Sequence, residues 1–81
     1  MSGVRYYAVK DLKVGFQVMQ PFQNDEVAKR AFINAAKNPS SMLSQCPADF
    51  ELWYLGEFFE ENGSFVSVPE FICNIGGSNN G

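Results

Sequence analysis

The chain has 81 residues, of which 46% are hydrophobic and 15% aromatic, and it carries a formal net charge of −3. This length allows one domain with a small core, and the apolar content excludes a disordered chain. The chain contains no histidine, which excludes the usual histidine-based catalytic triads. We therefore expect one domain over residues 1–75 and a flexible tail of Gly, Ser and Asn over residues 76–81.

Positive and negative residues are separated along the chain. All six cations lie within residues 1–37, where three carboxylates leave a charge of +3, and six further carboxylates give residues 38–81 a charge of −6. This separation predicts cations on one surface and carboxylates on the opposite one, and it favours binding over catalysis. No stretch reaches the roughly 20 apolar residues of a membrane-spanning helix, and the first residues lack the pattern of a signal peptide. These features predict a cytoplasmic protein without membrane contact.

Two runs of strand-forming residues open the chain. Residues 4–10 are rich in β-branched and aromatic side chains, residues 11–15 interrupt them, and residues 16–22 resume with alternation. The alternation predicts a shared face for Phe16, Val18 and Phe22 in an antiparallel hairpin. For the first strand, two inward-facing pairs stay open, Tyr6 with Ala8 or Tyr7 with Val9.

A helix is predicted from Asn24 to about Lys37. Asn24 can cap the free N–H groups of the first turn, and the carboxylates of Asp25 and Glu26 complement the helix dipole. Asn38 and Pro39 end the helix. The residues expected to pack on the sheet are Val27, Ala28, Ala31, Phe32 and Ala35.

A second hairpin is predicted after a loop over residues 39–49. Asn62-Gly63 is a favoured type I′ turn pair with strand-like runs on both sides. A two-residue turn pairs Glu61 with Ser64 and, further along the ladder, Trp53 with Ile72. Because Pro69 has no N–H to donate, the last strand is expected at an edge or with a bulge.

The two faces of the second hairpin differ in polarity. The face predicted to form the core contains Phe50, Leu52, Tyr54, Gly56 and Phe58 with Phe65, Ser67, Phe71 and Cys73. The other face is apolar but carries carboxylates, a combination typical of protein interfaces. Alternatively, this face packs against the tail or against the loop of residues 39–49. Its interface candidates are Trp53, Leu55, Glu57, Phe59, Val66 and Val68.

These elements predict an α+β fold, an antiparallel sheet of two β-hairpins with one α-helix packed on one face, in the order β-β-α-β-β. The chain offers no catalytic constellation, and we expect no enzyme activity and no cofactor. Cys46 and Cys73 are too few ligands for a metal site and are expected to be reduced thiols.

The cations suggest contact with nucleic acid. Lys29, Arg30 and Lys37 lie near one another on the predicted outer helix face, although an ordinary solvated helix face looks the same. Such residues can bind phosphates, and an aromatic ring can stack on an unpaired base. The further candidates are Arg5, Lys10 and Lys13 for phosphates, and Tyr6 or Tyr7 for stacking.

Several segments in order resemble one viral family. They are residues 5–11, 25–39, 47–52 and 55–58, followed by Gly63 and Pro69. Together they resemble the small nonstructural protein of gokushovirus-type microviruses, which are single-stranded DNA phages. The resemblance implies a Microviridae protein made in the cytoplasm of the infected bacterium, with a role in single-stranded DNA synthesis and in the switch from duplex replication to genome production.

Two hypotheses remain open from the sequence. One is a homodimeric interaction protein that contacts single-stranded DNA, with the dimer formed through the face that carries Trp53. The other is a protein-interaction module that binds a basic replication or capsid protein of the virus without contacting DNA.

Overall fold

The computed structural model describes residues 3–75, and the predicted tail over residues 76–81 lies outside this range. The elements are β1 (Val4–Asp11), β2 (Gly15–Phe16), β3 (Gln20–Pro21), α1 (Asp25–Ala36), α2 (Met42–Gln45), β4 (Phe50–Phe59) and β5 (Ser64–Asn74). A short 3-10 helix, Pro47–Asp49, leads into β4. The loop predicted over residues 39–49 therefore contains two short helical segments.

The strands form one antiparallel sheet. β1 pairs with β2 and β3 along one edge and with β4 along the other, and β5 pairs with the far side of β4. An α+β fold with an antiparallel sheet and one main helix is confirmed. The predicted order β-β-α-β-β is only roughly consistent, because the second predicted strand is two short strands and α2 is an additional element.

The side of the sheet that faces α1 contains the core. Tyr7 and Val9 of β1 point to this side, which decides between the two predicted inward pairs. The predicted N-cap of α1 is confirmed, because Asn24 Oδ1 accepts a hydrogen bond from Val27 N at 2.9 Å. Val27 itself is exposed, contrary to the predicted packing stripe. The core residues are Tyr7, Val9, Ala28, Phe32, Phe50, Leu52, Tyr54 and Ile75.

The predicted common face of Phe16, Val18 and Phe22 is wrong. Lys10 pairs with Phe16, whereas Tyr7 pairs with Gln20, so the register shifts by one residue between β2 and β3. A shift of one residue inverts the alternation of side chains. Phe22 consequently packs on the α1 side, 5.8 Å from the ring of Phe32, while Phe16 lies on the opposite side.

The turn between β4 and β5 is longer than predicted. Phe59 pairs with Ser64, so four residues, 60–63, connect the strands. Gly63 has a φ of +75° and donates its N–H to Phe59 O at 2.8 Å. Far from the turn the predicted pairing returns, since Leu52 pairs with Cys73 as it would with a two-residue turn. Bulges in β5 compensate for the two extra residues of the turn.

A bulge at Leu55 inverts the second half of β4. Tyr7 pairs with Tyr54 and Tyr6 with Gly56, which leaves Leu55 without a partner on β1. Before the bulge the predicted facing is correct, since Leu52 and Tyr54 are core residues. After it the facing is the reverse of the prediction, because Gly56 and Phe58 share the side of Tyr6, away from α1.

Candidate binding surface on the outer face of the sheet

Six aromatic residues cover the side of the sheet that faces away from α1. Tyr6 and Trp53 point away from α1, because each is adjacent to a core residue of its strand. Each of the other four rings contacts one of these two. We call this face the outer aromatic surface, and its rings are Tyr6, Phe16, Trp53, Phe58, Phe65 and Phe71.

Three of these rings form a row across the sheet. The ring of Trp53 lies 5.6 Å from Phe16 and 5.9 Å from Phe71, both in edge-to-face geometry. Lys10 Nζ lies 5.2 Å from the centre of the Trp53 ring, a cation–π distance. Trp53 Nε1 donates a hydrogen bond to Glu51 Oε1 at 3.0 Å. The row thus carries one cation and one carboxylate, each held against the same indole.

A second cluster of rings lies further along the strands. Tyr6 contacts Phe58 and Phe65 edge-to-face, with ring centres 6.3 and 6.4 Å apart. Together with Met19, these rings line an apolar cleft of about 360 Å³. Both groups of rings cross the sheet, the row from β2 to β5 and the second cluster from β1 to β5.

Three of the six rings of the outer aromatic surface are exposed to solvent, and the other three are half-buried. Phe71 is 53% exposed, Phe16 47% and Phe65 37%. Monomeric proteins seldom expose contiguous apolar patches larger than a few hundred Å² unless the patch binds something. Aromatic side chains are also enriched at the centres of protein interfaces. The arrangement fits a surface that another molecule covers.

Charges are not divided between the two sides of the sheet, contrary to the expectation. Of the strand residues on the outer side, Lys10 and Glu51 are charged, and they are register partners. Glu57 pairs with Arg5 and therefore lies on the α1 side, as does Glu70, the partner of Tyr54. The strand residues of the outer aromatic surface therefore carry no excess of either charge.

Tyr7 is not available for stacking on a base. Its side chain is fully buried beneath α1, so the prediction that it offers a stacking surface is wrong. Tyr6 lies on the outer aromatic surface instead. The physical reason is the inward pairing of Tyr7 with Tyr54 on the core side, where the two rings are 5.4 Å apart.

Arg5 belongs to a structural network that ties α1 to the sheet. Its Nε donates to Tyr7 Oη at 2.8 Å, and its Nη2 lies 3.0 Å from Asp25 Oδ1. Tyr7 Oη donates to the same Asp25 oxygen at 2.7 Å. The guanidinium also stacks 4.2 Å from the centre of the Tyr54 ring. Arg5 is thus engaged within the fold, with limited freedom to contact phosphate.

Protonation equilibria reflect the same network. The hydrogen bond from Tyr7 lowers the pKa of Asp25, with help from Arg5. Burial raises the pKa of Tyr7, and the hydrogen bond to Asp25 raises it further. The hydrogen bond with Tyr7 raises the pKa of Arg5. A carboxylate with a lowered folded-state pKa contributes stability above its unfolded pKa, and that stability is lost as the pH falls through the folded value.

The other predicted phosphate-binding cations lie in three places. Lys10 is on the outer aromatic surface. Lys13 Nζ lies 3.4 Å from Asp49 Oδ2 at the exposed end of the sheet. Lys29 Nζ forms an ion pair with Glu26 Oε2 at 3.3 Å. Arg30 and Lys37 are exposed on α1 and at its end, and within residues 3–75 neither forms an ion pair. The structure therefore keeps the α1 cations together but separates them from Lys10 and Lys13.

The predicted interface residues do not form one surface. Trp53 is on the outer side, whereas Glu57, Phe59 and Val66 are on the α1 side, because the bulge at Leu55 inverts the alternation between them. Glu57 Oε2 accepts a hydrogen bond from Gly3 N at 3.1 Å. Its side chain lines a cleft of about 520 Å³ beside Arg5 and Phe22. Val68, opposite Leu55, is exposed in a bulge of β5.

The sequence pattern places three of the six rings of the outer aromatic surface in the core. Phe58, Phe65 and Phe71 follow the alternation of the buried residues only if the strands are regular. A glycine inside a strand often marks a bulge, so Gly56 was the available signal for the inversion. Its position alone does not reveal on which side of the glycine the extra residue lies.

Residues 3–75 contain no group of three or more His, Cys, Asp or Glu residues arranged to hold a metal ion. Both cysteines are free thiols; Cys46 is exposed, and burial raises the pKa of the half-buried Cys73. No helix in the described part of the chain is long and apolar enough to span a membrane.

The fold and the outer aromatic surface define a small α+β protein with exposed rings on one face of its sheet. A family model described as Phage ORF5 protein matches residues 4–77, nearly the whole chain. The chain therefore belongs to the Phage ORF5 protein family, and it is a small bacteriophage protein. No curated protein and no solved structure matches it significantly.

Proposed function

We propose that this phage protein is a non-catalytic accessory factor of viral single-stranded DNA synthesis in a gokushovirus-type microvirus. It acts in the cytoplasm of the infected bacterium, as a homodimer that contacts single-stranded DNA. Membership of the Phage ORF5 family supports the accessory role. The observation that carries the binding mode is the exposed outer aromatic surface, which leaves α1 on the opposite side, free to contact a second molecule.

The α1 cations are the proposed DNA contacts. Arg30 and Lys37 are exposed and within the described chain form no ion pair, and Lys29 is close to them on the same helix. Tyr7 and Arg5 are engaged in the core network and are not part of this proposal. About three phosphate contacts per subunit predict a log–log salt slope of about −2 for one subunit and about −4 for a dimer. Such binding is weak and strongly salt-dependent.

A second candidate is a protein-interaction module that binds a basic replication or capsid protein of the virus without DNA. The exposed turn between β4 and β5 favours it, because Glu60 and Glu61 are adjacent there and form no ion pair within residues 3–75. A pair of carboxylates at the tip of a hairpin can bind a cationic surface.

Fluorescence anisotropy with a labelled single-stranded oligonucleotide at low salt tests the DNA contact. Replacing both Arg30 and Lys37 by glutamine is expected to weaken binding and to reduce the salt slope by about 1.4 per subunit, since two phosphate contacts are lost. The matched control replaces Gln17 and Gln45, which are exposed elsewhere, by glutamate. This control changes the net charge by the same amount as the first variant and should retain the salt slope of the unmodified protein.

Equal losses of affinity for the oligonucleotide in the two variants would mean that net charge, and not the α1 face, determines the affinity. An unmodified protein that does not bind the oligonucleotide at any salt concentration would contradict the DNA contact and favour the protein-interaction module.

A further inference from the structure

We propose that a second copy of this chain covers the outer aromatic surface, with Lys10 of each copy opposite Glu51 of the other. This inference rests on the homodimer of the proposed function and adds the interface and its geometry. It differs from the interface that the sequence pattern indicated, because Glu57, Phe59 and Val66 are not part of this face.

The sheet edges are poor sites for joining two copies. β5, the long edge strand, is bulged between Ser67 and Glu70 and again at Ile72, and Pro69 lacks an N–H. Bulges and proline are features that protect edge strands from pairing with another chain. The opposite edge is interrupted between β2 and β3. Extension of the sheet is therefore disfavoured, and the exposed face is left as the association surface.

The charges on the face are self-complementary. Lys10 and Glu51 are register partners on the neighbouring strands β1 and β4, so they lie at the same level along the sheet. A two-fold axis parallel to the strands and between them places β1 of one copy over β4 of the other. That operation sets each Lys10 against the carboxylate of the other copy's Glu51. Two aligned sheets packed face to face in this way form a β-sandwich.

The same operation fixes which residues of the two copies lie opposite each other. Ala8 is the register partner of Trp53, and Gly56 is the partner of Tyr6. The two-fold axis therefore places each Trp53 over an Ala8 and each Tyr6 over a Gly56 of the other copy. Ala8 and Gly56 are both buried within their own chain, and the ring of Phe65 lies against Gly56. The rings of the other copy therefore meet the side chains that cover these two positions.

The same features argue against single-stranded DNA as the occupant of this face. Its one cation has a carboxylate beside it, which would repel a phosphate chain. Trp53 is also engaged with two rings edge-to-face, with Lys10 over its face. A protein surface with similar rings and the opposite charge at the right place suits the face better.

Two charge-inverted variants provide the test. Lys10→Glu leaves two carboxylates on the face, and Glu51→Lys leaves two cations. In the proposed dimer each variant alone sets like charges against each other, so we expect self-association to weaken on the order of tenfold or more. Mixing the two variants restores opposite charges across the interface, and heterodimers should form about as tightly as the unmodified dimer. Because the two substitutions hardly change the mass, one variant is labelled with ¹⁵N, and native mass spectrometry then distinguishes heterodimers from homodimers.

Controls separate the interface from the fold. Glu70→Lys changes a neighbouring strand charge on the α1 side and should leave the dimer intact. Phe71→Ser removes an exposed ring and should weaken self-association while the chain stays folded. Circular dichroism establishes that each variant is folded.

A dimer that persists equally in both charge variants, or a mixture that forms no heterodimers, would overturn this interface while leaving the dimer of the proposed function in place. A protein that is monomeric at hundreds of micromolar would overturn both. Quenching of Trp53 emission by single-stranded DNA would assign the face to nucleic acid and also contradict the inference.

Discussion

Gly56→Ala is expected to lower the free energy of unfolding by about 4 kcal/mol. Gly56 has a φ of +148°, a conformation that residues with a Cβ rarely adopt. A Cβ at this position would overlap the carbonyl oxygen of Val66 on the neighbouring strand and press on the ring of Phe65. Because small domains are marginally stable, the variant should be largely unfolded at 37 °C. Urea unfolding followed by circular dichroism measures the loss.

Gly15→Ala is the matched control. Gly15 also has a positive φ, +123°, but a Cβ there has nothing within 4 Å. We expect this substitution to lower the free energy of unfolding by about 1–2 kcal/mol, a loss that reports the backbone strain alone. If both variants lose the same stability, the contact with β5 does not matter, and the close approach of the strands at the bulge is not what requires glycine.

Arg5→Ala is expected to lower the free energy of unfolding by about 2 kcal/mol at neutral pH. The substitution removes the stacking on Tyr54, worth about 1 kcal/mol, and the charge-assisted hydrogen bonds to Tyr7 and Asp25. The side chains of Arg5 and Asp25 are 37% and 51% exposed, so solvent screening limits the contribution of the ion pair itself. The measurement is urea unfolding at several pH values.

The pH dependence is the distinctive part of this prediction. Arg5 helps to lower the pKa of Asp25, so part of its contribution requires the ionised carboxylate. The difference between the variant and the unmodified protein should therefore shrink as the pH falls below about 4. Lys29→Ala removes an exposed ion pair with Glu26. It should lower the free energy of unfolding by less than about 0.5 kcal/mol at any pH. If Arg5→Ala lowers the free energy of unfolding by the same amount at every pH, packing accounts for the whole effect.

Local signals predicted the elements of this fold well. Asn24 begins the helix as its capping chemistry requires, and Leu52 and Tyr54 face the core as their alternation with Glu51 and Trp53 indicates. These signals depend on residues close in sequence. The strong preferences of side chains for caps and for one face of a strand act at that range.

The composition of the outer aromatic surface could not be predicted, because it depends on bulges in β4 and β5. One unpaired residue at Leu55 exchanges the two faces of β4 from there onward. Further bulges in β5 place Phe65 and Phe71 on the outer side together with Trp53. A bulge is a small local rearrangement, and its position is decided by packing across the sheet. Gly56 and Pro69 marked the irregular region without fixing where the register shifts.

The proposed dimer requires that the outer aromatic surface be covered in the working protein. Trp53 is the single tryptophan of the chain and lies at the centre of that surface, so its fluorescence reports the covering directly. Emission spectra should be recorded over a dilution series, with the mass at each concentration from sedimentation equilibrium. We predict a shift to longer wavelength on dilution, with the same midpoint as the change from dimer to monomer. An emission maximum that stays constant while the dimer dissociates would contradict the account.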